Sequence, residues 1–174
     1  MKFTIKQNKH YSDPDRWGKK IFDFINLQGY KGFWVKFNDS CLYDLGTSDQ
    51  KDINKLFGVS SGLHHTNSAR FGWRAEGNKI KLSSYCYINE KRKSKDLIDL
   101  ETNRWYKLTV IIRPGAYIFE VEDEDNLLIS SSIGTYQKFY WGYNLWPYFG
   151  GNQKAPHDMF IELEDFDPYF QGRI

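Results

Sequence analysis

Cysteine is scarce in this chain: there are two, Cys41 and Cys86, among 174 residues. A disulfide-stapled mini-domain is thereby excluded, and with no secretory signal ahead of them both read as reduced core thiols. The first residues, MKFTIKQNKHYSDPDRW, interleave lysines and polar groups where a signal peptide needs an unbroken apolar run. No apolar segment is long enough to span a bilayer, so the chain reads as soluble: cytoplasmic, carried in a virion, or secreted after trimming. Charge of one sign is lacking too. The 24 basic residues nearly balance 22 acidic ones, for a net charge of +2, so no global field draws in nucleic acid. There is no repeat of fixed period, which argues against a propeller or solenoid, and no linker, which leaves one domain over 1–174.

Aromatics are abundant, with six Trp, twelve Tyr and thirteen Phe, or 18% of the chain. That excess suits a β-rich fold with many half-buried rings. The clearest local pattern is Arg70 to Asn89, RFGWRAEGNKIKLSSYCYIN. Phe71, Trp73 and Ala75 alternate with Arg70, Gly72 and Arg74; after the turn signal Glu76-Gly77-Asn78, Ile80, Leu82, Cys86 and Ile88 alternate with Lys79, Lys81, Tyr85 and Tyr87. This is a hairpin with one apolar face and one carrying arginines and tyrosines. Arg70 and Arg74, four residues apart on a strand, would stand about 13 Å apart on one face, a spacing that suits successive acidic groups on a polymer.

A second hairpin is predicted by WYKLTVIIR (Trp105 to Arg113), Pro114-Gly115 and YIFEVE (Tyr117 to Glu122). Further strands are predicted over Lys2–Lys6, Lys19–Ile25, Gly32–Phe37, Cys41–Leu45, LLISSS, Phe139–Tyr143 and Met159–Glu164. Ile53, Leu56 and Phe57 fall at helical spacing and predict one helical turn, with Ser48 or Asp49 as its cap. The run EKRKSKD predicts a solvated turn. About ten short strands with Gly-, Pro- and Asn-rich turns imply an all-β fold, a two-sheet antiparallel sandwich.

The segment NLWPYFGGNQKAPHDMFI (Asn144 to Ile161), taken with WYKLTVIIRPGAYIFEVE, resembles the concanavalin A-like jelly roll of lectins, glucanases, laminin G-like modules and some polysaccharide lyases. More loosely the sequence resembles uncharacterised proteins of gut bacteria and their phages. The resemblance implies a last strand returning beside the first. Glucanases of that superfamily carry a Glu-x-Asp-x-x-Glu strand, which is absent here; Glu120 with Glu122 and Glu162 with Glu164 read as exposed strand faces. Its alginate lyases use an arginine-rich strand, a Gln-x-His strand and a tyrosine-bearing strand. Arg70 and Arg74 echo the first and Tyr148 the third, but the second is missing, so a base would come from His64 or His65.

Metal signals are weak. His64-His65 and His157-Asp158 have no third ligand at a recognisable spacing, and calcium is optional, with Asp13, Asp15 and Asp49 available but no Asp-x-Asp-x-Asp-Gly loop. Gly150-Gly151 with Lys154 does not fit a phosphate loop. The preferred reading is a noncatalytic module that binds a polysaccharide or glycan on a concave sheet face through Trp34, Arg70, Arg74, Tyr85, Tyr87, Trp105 and Lys107, because sugars offer C–H patches to rings and hydroxyls to charged donors. Two alternatives stay open: a virion or fibre assembly protein using the same face against other subunits, and a lyase of the alginate-lyase type.

Overall fold

In a computed structural model of the chain, residues 1–13, 29–123, 126–134 and 142–165 are described. They form two antiparallel sheets. The first has seven strands in the order β10-β9-β8-β3-β12-β1-β2, and the second five in the order β11-β4-β5-β6-β7. The strands are β1 Lys2–Ile5, β2 Ser12–Asp13, β3 Gly29–Phe37, β4 Asn54–Ser60, β5 Asn67–Glu76, β6 Lys79–Ile88, β7 Lys91–Leu100, β8 Trp105–Arg113, β9 Ala116–Glu122, β10 Leu127–Gly134, β11 Tyr143–Leu145 and β12 Met159–Glu164. The chain is a jelly-roll sandwich, and its last strand pairs antiparallel with the first, Phe3 opposite Ile161.

Period-2 alternation makes the core. Phe33, Val35 and Phe37 of β3 and Leu108, Val110, Phe119 and Val121 of β8 and β9 point inward from one sheet. Phe57, Phe71, Trp73, Ile80 and Leu82 answer from the other. The two layers meet ring to ring, Phe33 against Phe57 at 4.9 Å, Phe71 against Phe119 at 5.2 Å and Phe37 against Trp73 at 5.3 Å between centroids. Cys41 and Cys86 are free and buried in this layer, and burial pushes both thiols up to about 12. Among the described residues no helix is long and apolar enough to cross a membrane.

Three expectations are corrected. Residues 53–57 are not helical: a 3-10 turn at Ser48–Lys51 leads into strand β4, and a bulge between Lys55 and Gly58 turns the adjacent Leu56 and Phe57 both inward, which imitates helical spacing. Cys41–Leu45 is not a strand: Asp39–Cys41 forms a 3-10 turn capped by the Asn38 side chain, which accepts from the Ser40 amide at 3.1 Å. The basic run is the start of edge strand β7, not a turn. Its hairpin turns instead at Asn89-Glu90, both at positive φ (50° and 66°). No glycine announces that turn, and the lysines of β7 guard an open sheet edge. The expected strand at Lys19–Ile25, and most of that at Phe139–Tyr143, lie outside the described residues.

Candidate functional site

Side chains that alternate away from the core emerge on the outward face of the five-stranded sheet in rows. Gly58, Arg70, Tyr85 and Ser94 form one cross-strand row, and Ser60, Ser68, Tyr87 and Arg92 the next. Over them lies a cleft of about 750 Å³. Ser68, Arg70, Tyr85 and Tyr87 make its floor; Lys51, Asp52, Ile53 and Lys55 close one end, and Leu63, His64, His65 and Arg92 stand on the opposite rim.

The remaining wall is the segment from Tyr143 to Gly151, joined by Tyr11. Two apolar anchors in this segment face the core: Trp146 stacks on Phe3 at 5.6 Å and Phe149 meets Tyr43 edge-on at 5.1 Å. Between them Tyr148 runs beside β4, exchanging backbone hydrogen bonds with Lys55 at 2.8 and 2.9 Å. The following turn needs glycine: Gly150 has φ +72°, and a Cβ there would lie 2.2 Å from the Gln153 carbonyl oxygen. The Asn54 side chain ties the turn down, its Oδ1 accepting from the Gly150 amide while its Nδ2 donates to Tyr43 Oη at 2.7 Å.

The electrostatics of the cleft are lopsided. Arg70 is only 8% exposed; one Nη donates to the Trp146 carbonyl at 3.0 Å, and among the described residues its Nε has no hydrogen-bond partner. Burial pulls this guanidinium down to about 10, so it stays charged at neutral pH. Lys55 donates to the Gly150 carbonyl at 2.9 Å and sits 5.1 Å from the Tyr85 ring centroid and 5.8 Å from that of Tyr148. Burial first, then the nearby Arg70, pulls its amine down to about 8. Arg92 reaches the Tyr85 hydroxyl, whose own titration burial pushes up to about 12. Among the described residues none of these three cations forms an ion pair, whereas Lys6, Lys36, Arg74, Lys81, Arg104 and Lys107 all do. Arg70 is sunk in the wall and Lys55 half-buried beside it, while Arg92 is exposed at the rim; a buried charge without a counter-charge in contact is costly, and such groups concentrate where a ligand supplies the missing partner.

The seven residues singled out by alternation do not share one face. Arg70, Tyr85 and Tyr87 meet in the cleft. Arg74 shares their outward face but lies beyond the cleft lining, in a two-pronged pair with Asp96 at 2.9 and 2.7 Å. Trp34, Trp105 and Lys107 belong to β3 and β8 and stand on the outward side of the other sheet, where Lys36 lies 4.7 Å over the Trp105 ring and Lys107 pairs with Glu122 at 3.1 Å. Alternation tells inward from outward but not which sheet a strand joins. Arg74→Ala should therefore cost about 1 kcal/mol of stability or less, as a partly exposed pair does, and leave glycan retention unchanged; urea denaturation and affinity electrophoresis read the two.

Lys55 and Arg92 escape the sequence reading because the local pattern of their strands predicts a helical turn and a solvated turn. Tyr143 joins them at the wall, its hydroxyl 3.4 Å from His64 Nδ1. Among the described residues no group of three or more His, Cys, Asp or Glu side chains converges as a metal site would require.

No protein-family model and no characterised protein sequence matches the chain. Solved structures do. An alginate lyase, AlyC3, superposes with a TM-score of 0.60 at 11% identity, over 93% of this chain and 71% of that one. An uncharacterised protein from Mycobacterium paratuberculosis gives 0.54 at 10% identity, over 93% and 80%. The carbohydrate-binding module CBM66 from Bacillus subtilis gives 0.42 at 11% identity, over 82% and 74%. At such identities the likeness is one of fold: this chain shares a two-sheet antiparallel jelly-roll architecture with them.

Proposed function

We propose that the chain is a noncatalytic carbohydrate-binding module whose ligand is an acidic polysaccharide, held in the cleft on the five-stranded sheet. The observation that carries this reading is the trio Lys55, Arg70 and Arg92, three cations in one cleft that form no ion pair among the described residues, Asp52 of the same lining acting on Lys55 only from beyond ion-pair distance. A uronate carboxylate would accept charge-assisted hydrogen bonds from them, while Tyr85, Tyr87 and Tyr148 offer ring faces and hydroxyls to the sugar. Affinity electrophoresis in gels cast with alginate, polygalacturonate or neutral laminarin tests it. Retardation by an acidic polymer, weakening with salt, is expected; free migration of folded protein through every acidic gel refutes it.

The titration of Lys55 sets a pH signature. Its folded value of about 8 lies below the 10.5 of the free side chain, so between those values the unfolded chain holds more protons and Lys55 adds to stability as pH rises. A bound anion works the other way, since it needs the ammonium. Affinity for an oligouronate should be full below about pH 7 and fall about tenfold by pH 9.5, the loss of one charge-assisted contact; Lys55→Arg should flatten that profile in calorimetric titrations.

One contact favours elimination in the same cleft. His64 and Tyr143, at 3.4 Å, are a base and a hydroxyl side by side at the rim, as removal of a C5 proton and protonation of the departing O4 require. Accumulation of an unsaturated uronate, absorbing near the ultraviolet edge, would replace the noncatalytic reading with this one; a flat trace with alginate, glucuronan and pectate, calcium present, leaves binding.

A further inference from the structure

Resting on the anion-binding reading of the cleft, we propose that Lys55 is a carbonyl-trapping amine, joining covalently to small ligands that carry an aldehyde and a carboxylate together, as the open-chain end of a uronic acid does. Its Nζ is part of the cleft wall, half-buried, and donates to a neutral backbone carbonyl, that of Gly150, at 2.9 Å. Among the described residues nothing negative holds the proton on it at contact distance.

The groups that face it come from every packed element. Asp52 precedes its own strand, Arg70 stands on β5, Tyr85 on β6 and Arg92 on β7, and Tyr148 lies on the wall segment. Asp52 favours the ammonium, but burial, Arg70 and Arg92 oppose it, and both phenols are kept neutral by their surroundings, burial foremost. A lysine desolvated beside another cation is the environment in which amines act as nucleophiles at neutral pH. Lys55 opposes Gly72 across the sheet, and Arg70 lies two residues from Gly72 on the same outward face. A carboxylate held by Arg70 and Arg92 thus leaves an adjoining carbonyl within the span of the cleft that Lys55 also lines.

The chemistry balances without redox. The Nζ lone pair forms a bond to the carbonyl carbon as the π pair moves to oxygen, and a proton passes from nitrogen to that oxygen through water. The resulting carbinolamine then loses its hydroxyl as water while nitrogen forms the C=N bond. One water is released, and hydrolysis reverses the step.

The test incubates the full chain with D-glucuronate and sodium cyanoborohydride at pH 8, where the hydride fixes any imine as a secondary amine, and maps modified lysines by peptide mass spectrometry. Methyl glucuronide, which has no free aldehyde, is titrated in parallel as a binding-only probe. Lys55 should be modified at least about tenfold faster than the exposed Lys91 and Lys93 or the paired Lys36 and Lys107, because burial beside Arg70 leaves a large share of its amine neutral at pH 8 in a cleft that also holds the carboxylate. Excess methyl glucuronide should suppress the reaction, and Lys55→Arg should leave only the slow background. Equal or slower labelling of Lys55 overturns the proposal. If methyl glucuronide still binds in that case, the anion site stands and only the trapping role falls; if it does not bind, both fall.

Discussion

Replacing Arg70 with methionine is expected to abolish retention by acidic polysaccharides and to leave the fold as stable as before, or more so. Function and stability separate here because the guanidinium is a buried charge whose known partners are neutral: the Trp146 carbonyl and the tyrosines around it. Truncating a buried, ligand-pairing cation loses about 3 kcal/mol or more of binding, over a hundredfold in affinity. The folded chain meanwhile sheds the desolvation of an uncompensated charge. Methionine fills most of the same volume, and the lost bond to Trp146 costs only about 1 kcal/mol. Calorimetric titration with an oligouronate and urea denaturation measure the two halves. A variant that loses several kcal/mol of stability would show that Arg70 is a structural strut.

The largest effect on folding is expected at Gly58. It faces Arg70 across β4 and β5 beyond the bulge, and a Cβ there would lie 2.2 Å from the Ala69 carbonyl oxygen and 2.4 Å from Cα and Cβ of Arg70. All three obstacles belong to the backbone or stem of the neighbouring strand and cannot swing aside. Gly58→Ala should therefore spread the central pair of the five-stranded sheet and cost about 3 kcal/mol. Gly134→Ala is the matched control: its Cβ would find its nearest neighbour, the Gly115 carbonyl, at 3.9 Å, and its cost should stay within about 0.5 kcal/mol. Thermal denaturation of the two variants side by side gives the comparison.

These two positions also mark how far the sequence could be read. The strands that alternate without interruption, β5, β6, β8, β9 and β12, were legible because side-chain period alone separates core from surface. Strand β4 was not. Its bulge places Leu56 and Phe57 on the same side, a pattern that period-2 reading rejects and helical reading accepts. Strand β7 hid behind its lysines and a turn made without glycine. With β4 and β7 went Lys55 and Arg92, so the sequence offered Arg70, Tyr85 and Tyr87 but only part of the cation cluster. Alternation places Trp34, Trp105 and Lys107 outward, as the structure does, but cannot show that they stand on a different sheet from Arg70, since sheet membership depends on non-local pairing.

Which outward face meets the ligand is measured directly by amide chemical-shift mapping of isotope-labelled protein titrated with an oligouronate. Shifts concentrated at Lys55, Arg70, Tyr85, Tyr87, Tyr148 and Gly150, with Trp34, Trp105 and Lys107 unmoved, are the predicted result. Shifts centred on Trp34, Trp105 and Lys107, with the cleft silent, would contradict it.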